Sequence, residues 1–481
     1  MRNAVAGAIE QRDFLVGGSW RSSPQQQAVV YPYTGEPIAL VASASPQDVE
    51  DAIAAAVDAF EVTRRLPAYR RAEILARAGE IVGNQADFLA RQMTLETGHC
   101  LRDTRGEVMR TAAIFQMAAE EAKRIGGEVV PLDVVAAGEG RVGIVRRFPV
   151  GPVVGITAFN APLLLPAHKI APAFAAGNPI IVKPAPRTPL SALSLADILL
   201  ESGISEGAVS VLPCDDNTAR PLVSDPRIRA LSFTGSTRVG WRLKAMAGQK
   251  KVTLELGGNG AVIVHADADL DWAASRCAFG GFLRAGQACI SVQRIYVHQD
   301  VYDPFVARLV SRVRDTAQGD PLDAETDMGP MIDENAARRA EAWVREALEA
   351  GATICAGGER VDSFLQPTIL TDVSDDMKVS CEEVFAPIVT VVPYTELDEA
   401  LRRVNDTPYG LQAGIFCNDL RLVYRAYEEL QVGGVIVNDV NTWRVDNMPY
   451  GGVKASGYGR EGVKWSIEEL TEPRLLALNV R

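Results

Sequence analysis

Three polar side chains stand out for the company they keep: Cys289, Glu255 and Asn160. Cys289 closes the run Gly286-Gln287-Ala288-Cys289, which follows a helical pattern and precedes an apolar stretch from Ile290 to Val297. A glycine and small residues beside a thiol let a ligand approach it closely. A lone cysteine is more often a buried structural thiol, so the rest of the set must carry the argument. Glu255 lies in Val252-Thr253-Leu254-Glu255-Leu256-Gly257-Gly258-Asn259, one carboxylate in an apolar strand ending in paired glycines. Burial disfavours the ionised form and raises the pKa, which suits a general base near neutral pH. The bland alternative is a glutamate paired with a backbone amide or a lysine. Asn160, in Thr157-Ala158-Phe159-Asn160-Ala161-Pro162, follows a strand, where its amide can face an oxyanion. An Asx-turn explains the same residue equally simply.

A second group suits a phosphate-bearing ligand. Lys183 ends the strand-like Ile181-Val182-Lys183, at the strand end where open α/β sheets bind ligands. Phe233-Thr234-Gly235-Ser236-Thr237-Arg238-Val239-Gly240 reads as strand, turn and helix start, and a helix N-terminus attracts pyrophosphate. Alone this glycine motif is weak, since it is neither G-x-G-x-x-G nor a P-loop. Glu383 and Phe385, in Cys381-Glu382-Glu383-Val384-Phe385-Ala386-Pro387, offer a carboxylate for ribose hydroxyls and an aromatic face; a solvated acidic pair is the simpler reading.

These residues need a large scaffold. At 481 residues the chain should form two or three domains. Residues 1–45 read as short antiparallel strands with turns. Ser45-Pro46-Gln47-Asp48 reads as an N-cap with proline in the first turn, and three helices are expected over 46–124, broken near Gly98. Residues 126–148 look like short polar strands. Strands alternate with helices over 150–250, and again over about 258–440, the signature of parallel sheets. The tail Glu468–Arg481 reads as a strand.

Taken in order, Asn160, Lys183, Phe233-Thr234-Gly235-Ser236, Glu255-Leu256-Gly257-Gly258, Gly286-Gln287-x-Cys289, Glu383-x-Phe385 and Pro449-Tyr450-Gly451-Gly452-x-Lys454-x-Ser456-Gly457 resemble the aldehyde dehydrogenase superfamily from about residue 14 to 475. The lactaldehyde dehydrogenase-like branch is similar at Ile290-Ser291-Val292-Gln293-Arg294, around Pro184–Pro189, and from Arg444 to Tyr450. The resemblance implies an α/β fold with a Rossmann-like cofactor domain (1–125 and 147–254), an α/β catalytic domain (255–466) and a small β oligomerisation element (126–146 and 467–481). It implies that Cys289 attacks an aldehyde and becomes a thioester, with Asn160 and the Cys289 N–H on the oxyanion and Glu255 activating the hydrolytic water. Lys183 and Glu383 would hold ribose, Gly235 and Ser236 the pyrophosphate, and Phe385 the nicotinamide. Phe233, Val239 and the main chain of Thr157 and Leu256 would complete the NAD or NADP site. Arg110, Leu164, His168, Arg284, Ser291, Arg444 and Tyr450 would line the aldehyde tunnel, together with Ala161 and Ile290.

Arg444 and Arg284 favour a small hydroxylated or anionic aldehyde, because a guanidinium fork matches carboxylate or phosphate; pairing of Arg444 with Asp446 or another subunit is the alternative. Pro186 stands where NAD-strict relatives often carry a glutamate, so NADP is admissible, and Arg187 is a candidate partner for a 2′-phosphate. Relatives that transfer the acyl group to coenzyme A generally lack a glutamate at the Glu255 position, so hydrolysis is favoured over thiolysis. A non-catalytic structural protein on this scaffold would be expected to have lost central residues that are all here. The net charge of −12, with no basic block, disfavours nucleic acid and anionic membranes as partners. Seven scattered cysteines and four histidines without ligand spacing fit a reduced cytoplasmic protein with no metal site. The apolar run 150–182 is interrupted by five prolines and Lys169, which argues against a membrane span. The N-terminus lacks signal-peptide features, and self-association as a dimer or tetramer is expected.

Overall fold

The structure is a computed structural model that describes residues 10–480; the first nine residues and Arg481 of the expected segments lie outside it. Three sheets organise the molecule. The first has eight strands, and its centre is five parallel strands in the order Lys251–Glu255, Ala230–Thr234, Val153–Ile156, Ile180–Lys183, Val209–Val211. Chain order runs outward from Val153–Ile156 in one direction, then resumes on its other side with Ala230–Thr234. The carboxyl ends of these two strands therefore flank a topological switch point, where open α/β sheets leave a ligand crevice. Thr157, Lys183, Phe233 and Glu255 all sit at the carboxyl edge of this sheet.

The second sheet has seven strands, with Ala261–Val264 and Arg294–His298 paired in parallel near its middle. Apolar residues of its central strands pack into a core on each face, among them Val262, Val264, Ile295 and Val389 on one and Ala261, Ile263 and Ile415 on the other. The third sheet is antiparallel: Thr471–Asn479 pairs along its whole length with Arg141–Pro149, which also pairs with Gly127–Val130. Two pieces of the late chain return to the first sheet. Gly457–Tyr458 adds beside Lys251–Glu255, and Val463 and Ile467 of the helix Val463–Glu469 pack into the first core. Among the described residues no helix is long and apolar enough to cross a membrane.

The helical region begins as its sequence dictates: Ser45 caps Pro46–Thr63, and Ser45 and Asp48 form a reciprocal capping box. Four helices occupy this region, where three were expected: Pro46–Thr63, Ala68–Asn84, Ala86–Thr97 and Leu101–Ala122. The extra boundary is a single-residue break at Gln85, with φ −100° and ψ 19°, directly after Gly83-Asn84. Gly98 does break the chain, in the left-handed conformation with φ 76°. The stretch after Cys289 enters its strand at Arg294, later than the expected Ile290.

Candidate active site

The chain reaches Cys289 through three successive left-handed residues, Arg284 (φ 54°), Ala285 (φ 53°) and Gly286 (φ 70°). A side chain on Gly286 would put its Cβ 2.1 Å from the Ala386 carbonyl oxygen, so only glycine fits. The two non-glycine residues each cost about 1–3 kcal/mol, which surrounding contacts must offset. Arg284 Nη1 donates to the Asn160 carbonyl at 2.8 Å, and Nη2 lies 2.9 Å from Glu107 Oε2. Gln287 is fully buried; its amide donates to the Arg284 carbonyl and accepts from the Ile332 N–H. The same loop receives the Asn160 side chain, whose amide donates to the Gln287 carbonyl at 3.0 Å, two residues before Cys289.

Cys289 itself is half-buried against Ile290, Leu411 and Tyr450. Burial pushes its thiol up to about 11; the Tyr450 hydroxyl and the Arg444 charge oppose the rise, while Glu255 and Glu383 add to it. The Tyr450 oxygen is 3.1 Å from Cys289 Sγ. Glycines bring Glu255 to the same place. A Cβ on Gly258 would meet the Cys289 carbonyl oxygen at 2.7 Å, and one on Gly451 would meet Glu255 Oε1 at 2.8 Å. Glu255 ends its strand, is buried, and has no hydrogen-bond partner for either oxygen among the described residues. Burial, reinforced by the charge of Glu461, raises its pKa well above the usual carboxylate range, against the pull of Arg444, Lys169 and Arg460. The Glu255 carboxyl thus lies close enough to influence the thiol, and the Asn160 carboxamide is anchored on the loop that carries it.

Behind Glu255 lies a buried ion pair. Lys169 Nζ donates to Glu461 Oε1 at 2.8 Å, to Thr234 Oγ1 at 2.9 Å and to Ser232 Oγ at 3.0 Å. Burial alone would raise Glu461, but the Lys169 ammonium holds it below its ordinary value.

Beyond Tyr450 is a second charged group. Arg110 grips Asp446 with two hydrogen bonds, Nε to Oδ2 at 3.0 Å and Nη2 to Oδ1 at 2.6 Å. His168 Nε2 stands 3.1 Å from Asp446 Oδ1 and 3.2 Å from Arg444 Nη2; a neutral ring nitrogen satisfies one of these at a time. Burial and the Arg444 charge lower the His168 pKa, so the ring is neutral at pH 7. Burial would raise Asp446, but hydrogen bonds from His168 and Arg110 outweigh it and keep the carboxylate ionised. Arg444 differs from Arg110. Its side chain is only 9% exposed, its Nε lies 3.7 Å from Asp446, and that Nε has no hydrogen-bond partner among the described residues. The guanidinium lies over the Tyr450 ring, with Cζ 3.6 Å from the ring centroid.

At the carboxyl edge of the first sheet, a cleft of about 470 Å³ is lined by Ile156, Lys183, Asp216, Phe233, Val239 and Leu243, among others. Helix Thr237–Met246 starts at this cleft. Its N-cap, Ser236, makes no side-chain cap bond, and Thr237 Oγ1 is buried without a partner among the described residues. A Cβ on Gly235 would stand 2.5 Å from the Phe233 ring, so the turn comes as close to the ring as a bare backbone allows. Uncapped N–H groups near a cleft lined by both apolar and charged side chains fit the pyrophosphate and adenosine of a dinucleotide. Lys183 Nζ lies 3.5 Å from Asp216 Oδ1. Arg187 is turned elsewhere, 2.5 Å from Asp333. Glu383 accepts the Gly258 N–H at 3.1 Å, and burial pushes its pKa up to about 7. Phe385 meets Phe159 edge-on at 5.9 Å. The N–H groups of Thr157 and Leu256 are spent on Lys183 O and Ser456 O.

Residues 20–476 match the aldehyde dehydrogenase family. The chain belongs to that family. A 3-sulfolactaldehyde dehydrogenase of Priestia aryabhattai is 46% identical over 473 residues, 98% of this chain and 99% of that protein. The crystal structure of aldehyde dehydrogenase 21 from Physcomitrella patens, in complex with the reaction product succinate, superposes with TM-score 0.97 at 42% identity, covering 98% of this chain and 99% of that one. The glyceraldehyde-3-phosphate dehydrogenase GapN of Methanocaldococcus jannaschii, complexed with NADP, gives TM-score 0.91 at 36% identity over 95% and 100% of the two chains. This aldehyde dehydrogenase is therefore an NAD(P)-dependent enzyme with the α/β fold that the motifs implied.

Within the aldehyde dehydrogenase fold, the expected tunnel residues separate into those that meet and those that do not. Arg110, His168, Arg444 and Tyr450 form one connected group ending at the thiol. Arg284 braces the loop and Asn160. Ser291 is buried and its hydroxyl donates to the Gly280 carbonyl at 3.2 Å. Leu164 packs in the first core, its N–H held by Glu107. Three groups close to the chemistry were missed: Lys169, Glu461 and Glu107. Lys169 was visible as a lone ammonium in an apolar helix, which demands a buried counter-charge. Nothing in the sequence pointed to Glu461, 292 residues away.

Proposed function

We propose that this enzyme oxidises a short aldehyde bearing a carboxylate or sulfonate to the free acid, through a thioester on Cys289. The observation that carries the anionic substrate is Arg444. A buried guanidinium with unspent donors is costly, and an anion supplied by the substrate satisfies it. The names of two similar proteins point the same way, since 3-sulfolactaldehyde carries a sulfonate and succinate a second carboxylate.

In this reading the Cys289 thiol gives its proton to water, and the thiolate sulfur bonds to the aldehyde carbon. The Asn160 amide and the Cys289 N–H donate to the resulting oxyanion. A bound nicotinamide supplies the two-electron acceptor that converts the adduct on Cys289 into a thioester. Glu255 then removes a proton from water as its oxygen attacks the thioester carbonyl; the C–S bond breaks, the acid leaves and the thiolate is restored. Lys183 and Glu383 would hold ribose hydroxyls, with Gly235 and Ser236 at the pyrophosphate, Phe233 and Val239 along the adenosine and Phe385 beside the nicotinamide. Thr157 and Leu256 can contact the cofactor only through their carbonyls. Residues 1–125 and 147–254 serve as the cofactor part and 255–466 as the catalytic part, with 457–458 returning to the first sheet.

Arg444→Met tests the substrate class. For a short carboxylated or sulfonated aldehyde, kcat/KM should fall about 10- to 100-fold, matching the ~1.5–3 kcal/mol of a hydrogen bond to a charged group. For lactaldehyde, which is neutral, it should change by less than about 3-fold. An equal loss on both substrates would remove Arg444 from anion recognition.

The third sheet supports self-association as a dimer or tetramer. Strand Thr471–Asn479 pairs on one edge only among the described residues, and Leu475 and Leu476 are 52% and 55% exposed. An open apolar edge is a pairing template. Sedimentation should give at least twice 51.8 kDa for the native protein, and a smaller mass for Leu476→Lys/Leu478→Lys. A native monomer would refute this.

A further inference from the structure

We propose that Tyr450 is a catalytic residue whose hydroxyl donates a hydrogen bond to the ionised Cys289 sulfur, with Arg444 stacked on its ring to favour that direction. This rests on the reading of Cys289 as the nucleophile. The oxygen–sulfur distance of 3.1 Å is that of a hydrogen bond, and either atom is chemically able to donate. The surroundings choose between them. The Arg444 guanidinium lies 3.6 Å from the centroid of the Tyr450 ring, a cation on the face of a buried phenol. Positive charge there makes the O–H a better donor and the oxygen a poorer acceptor. It also favours negative charge on the sulfur beyond it. A hydroxyl donating to an anion makes the stronger class of hydrogen bond.

The tyrosine is held firmly. Tyr450 and Glu461 exchange both backbone hydrogen bonds, at 2.9 and 2.7 Å. The next residue, Gly451, leaves Glu255 just enough room. The charged and titratable groups facing the thiol are Tyr450, Arg444, Glu255 and Glu383; those facing the tyrosine are Cys289, Arg444 and Glu255. Two carboxylates and burial oppose thiolate formation, so without the hydroxyl only Arg444 favours it. Tyr450 thereby offers the nucleophile what no other described residue supplies, a direct donor to sulfur.

The test is alkylation of the intact enzyme by iodoacetamide across pH, without substrate or cofactor. The thiolate displaces iodide, so the rate at Cys289, read by peptide mass with Cys289→Ala as background, follows the thiolate fraction. In Tyr450→Phe, which keeps the ring under Arg444, the midpoint should rise by about one pH unit, and alkylation at a fixed pH below both midpoints should slow about 10-fold. Matching melting temperatures for the two proteins would confine the change to the hydroxyl. An unchanged midpoint overturns the proposal. So does a lowered one, which would mean that the thiol donates to the tyrosine. The underlying reading fails separately, if wild-type enzyme fully alkylated at Cys289 still oxidises aldehyde.

Discussion

Cys289→Ala should form no reduced cofactor above background with any aldehyde, a loss of at least about 10⁴-fold in kcat, since removal of a covalent nucleophile is among the largest single-residue effects in enzymes. The expectation is sharp because the substitution disturbs little else. Cys289 is half-buried at the edge of a small cluster, and its sulfur makes a single polar contact, to Tyr450. The strained approach through Arg284, Ala285 and Gly286 is held by Gln287, Glu107 and Asn160, none of which involves the sulfur. The variant should therefore fold, bind cofactor and show a native melting temperature, which a thermal melt with and without dinucleotide would check. Cys355 and Cys381 supply the contrast. Both are partly exposed, but their sulfurs face Thr371 and the Asp376 carbonyl, away from Tyr450 and Glu255 in the contacts they make. Their alanine variants should retain wild-type turnover within about 2-fold. Cofactor reduction by Cys289→Ala within 10-fold of wild type would end the covalent mechanism.

How much of this was legible beforehand depends on whether a residue's partner is near it in the chain. Glu255, Cys289 and Lys183 announce themselves through their flanks. Paired glycines, a G-Q-x-C run and a strand-end lysine are local signs of a backbone under close constraint, and Gly258, Gly286 and Gly451 do pass against the Cys289 carbonyl, the Ala386 carbonyl and the Glu255 carboxyl. The Ser45 cap was readable for the same reason, because its partner Asp48 is three residues away. Long-range pairing was not. Arg110, His168 and Arg444 could be placed near one another only by resemblance, and no local rule assigns Asp446 to Arg110 while leaving Arg444 nearly unpaired. That division decides which arginine is available to a substrate. Ser291 and Leu164 illustrate the opposite error. Each is close in sequence to a functional residue, but the Ser291 hydroxyl is buried on the Gly280 carbonyl and Leu164, the first residue of its helix, is buried in the first core. At Gln85 the break follows Gly83-Asn84, two weak helix formers whose signal is slight beside the apolar periodicity that continues on either side.

Glu255→Gln should separate the two halves of the reaction. The change is nearly isosteric and removes only the capacity to take a proton. Attack by Cys289 does not use Glu255 in the proposed sequence, so one equivalent of reduced cofactor per site should appear in a rapid burst. Steady turnover should then fall about 10²–10⁴-fold, the range for loss of a general base. The environment of Glu255 makes the pH dependence a second, independent check. Its carboxyl is buried without hydrogen bonds, and Glu461 adds negative charge nearby, so its pKa stands well above the ordinary value. The active form is the carboxylate. Below the raised pKa the group is protonated and hydrolysis is slow; as pH rises through it, hydrolysis accelerates. Wild-type deacylation should therefore climb with pH through a range well above that of an ordinary carboxylate, and that limb should be missing from Glu255→Gln, whose residual rate follows hydroxide alone. Lys169 limits how far the pKa rises, because its ammonium lies near Glu255 and offsets the negative charge of Glu461. Removing that ammonium, as in Lys169→Met, leaves two buried carboxyls competing for one site with their counter-ion gone, and the limb should move to still higher pH. Rapid-quench measurement of acyl-enzyme would decide the matter: a Glu255→Gln enzyme that shows no burst, or that hydrolyses the acyl group at the wild-type rate, would place the base elsewhere.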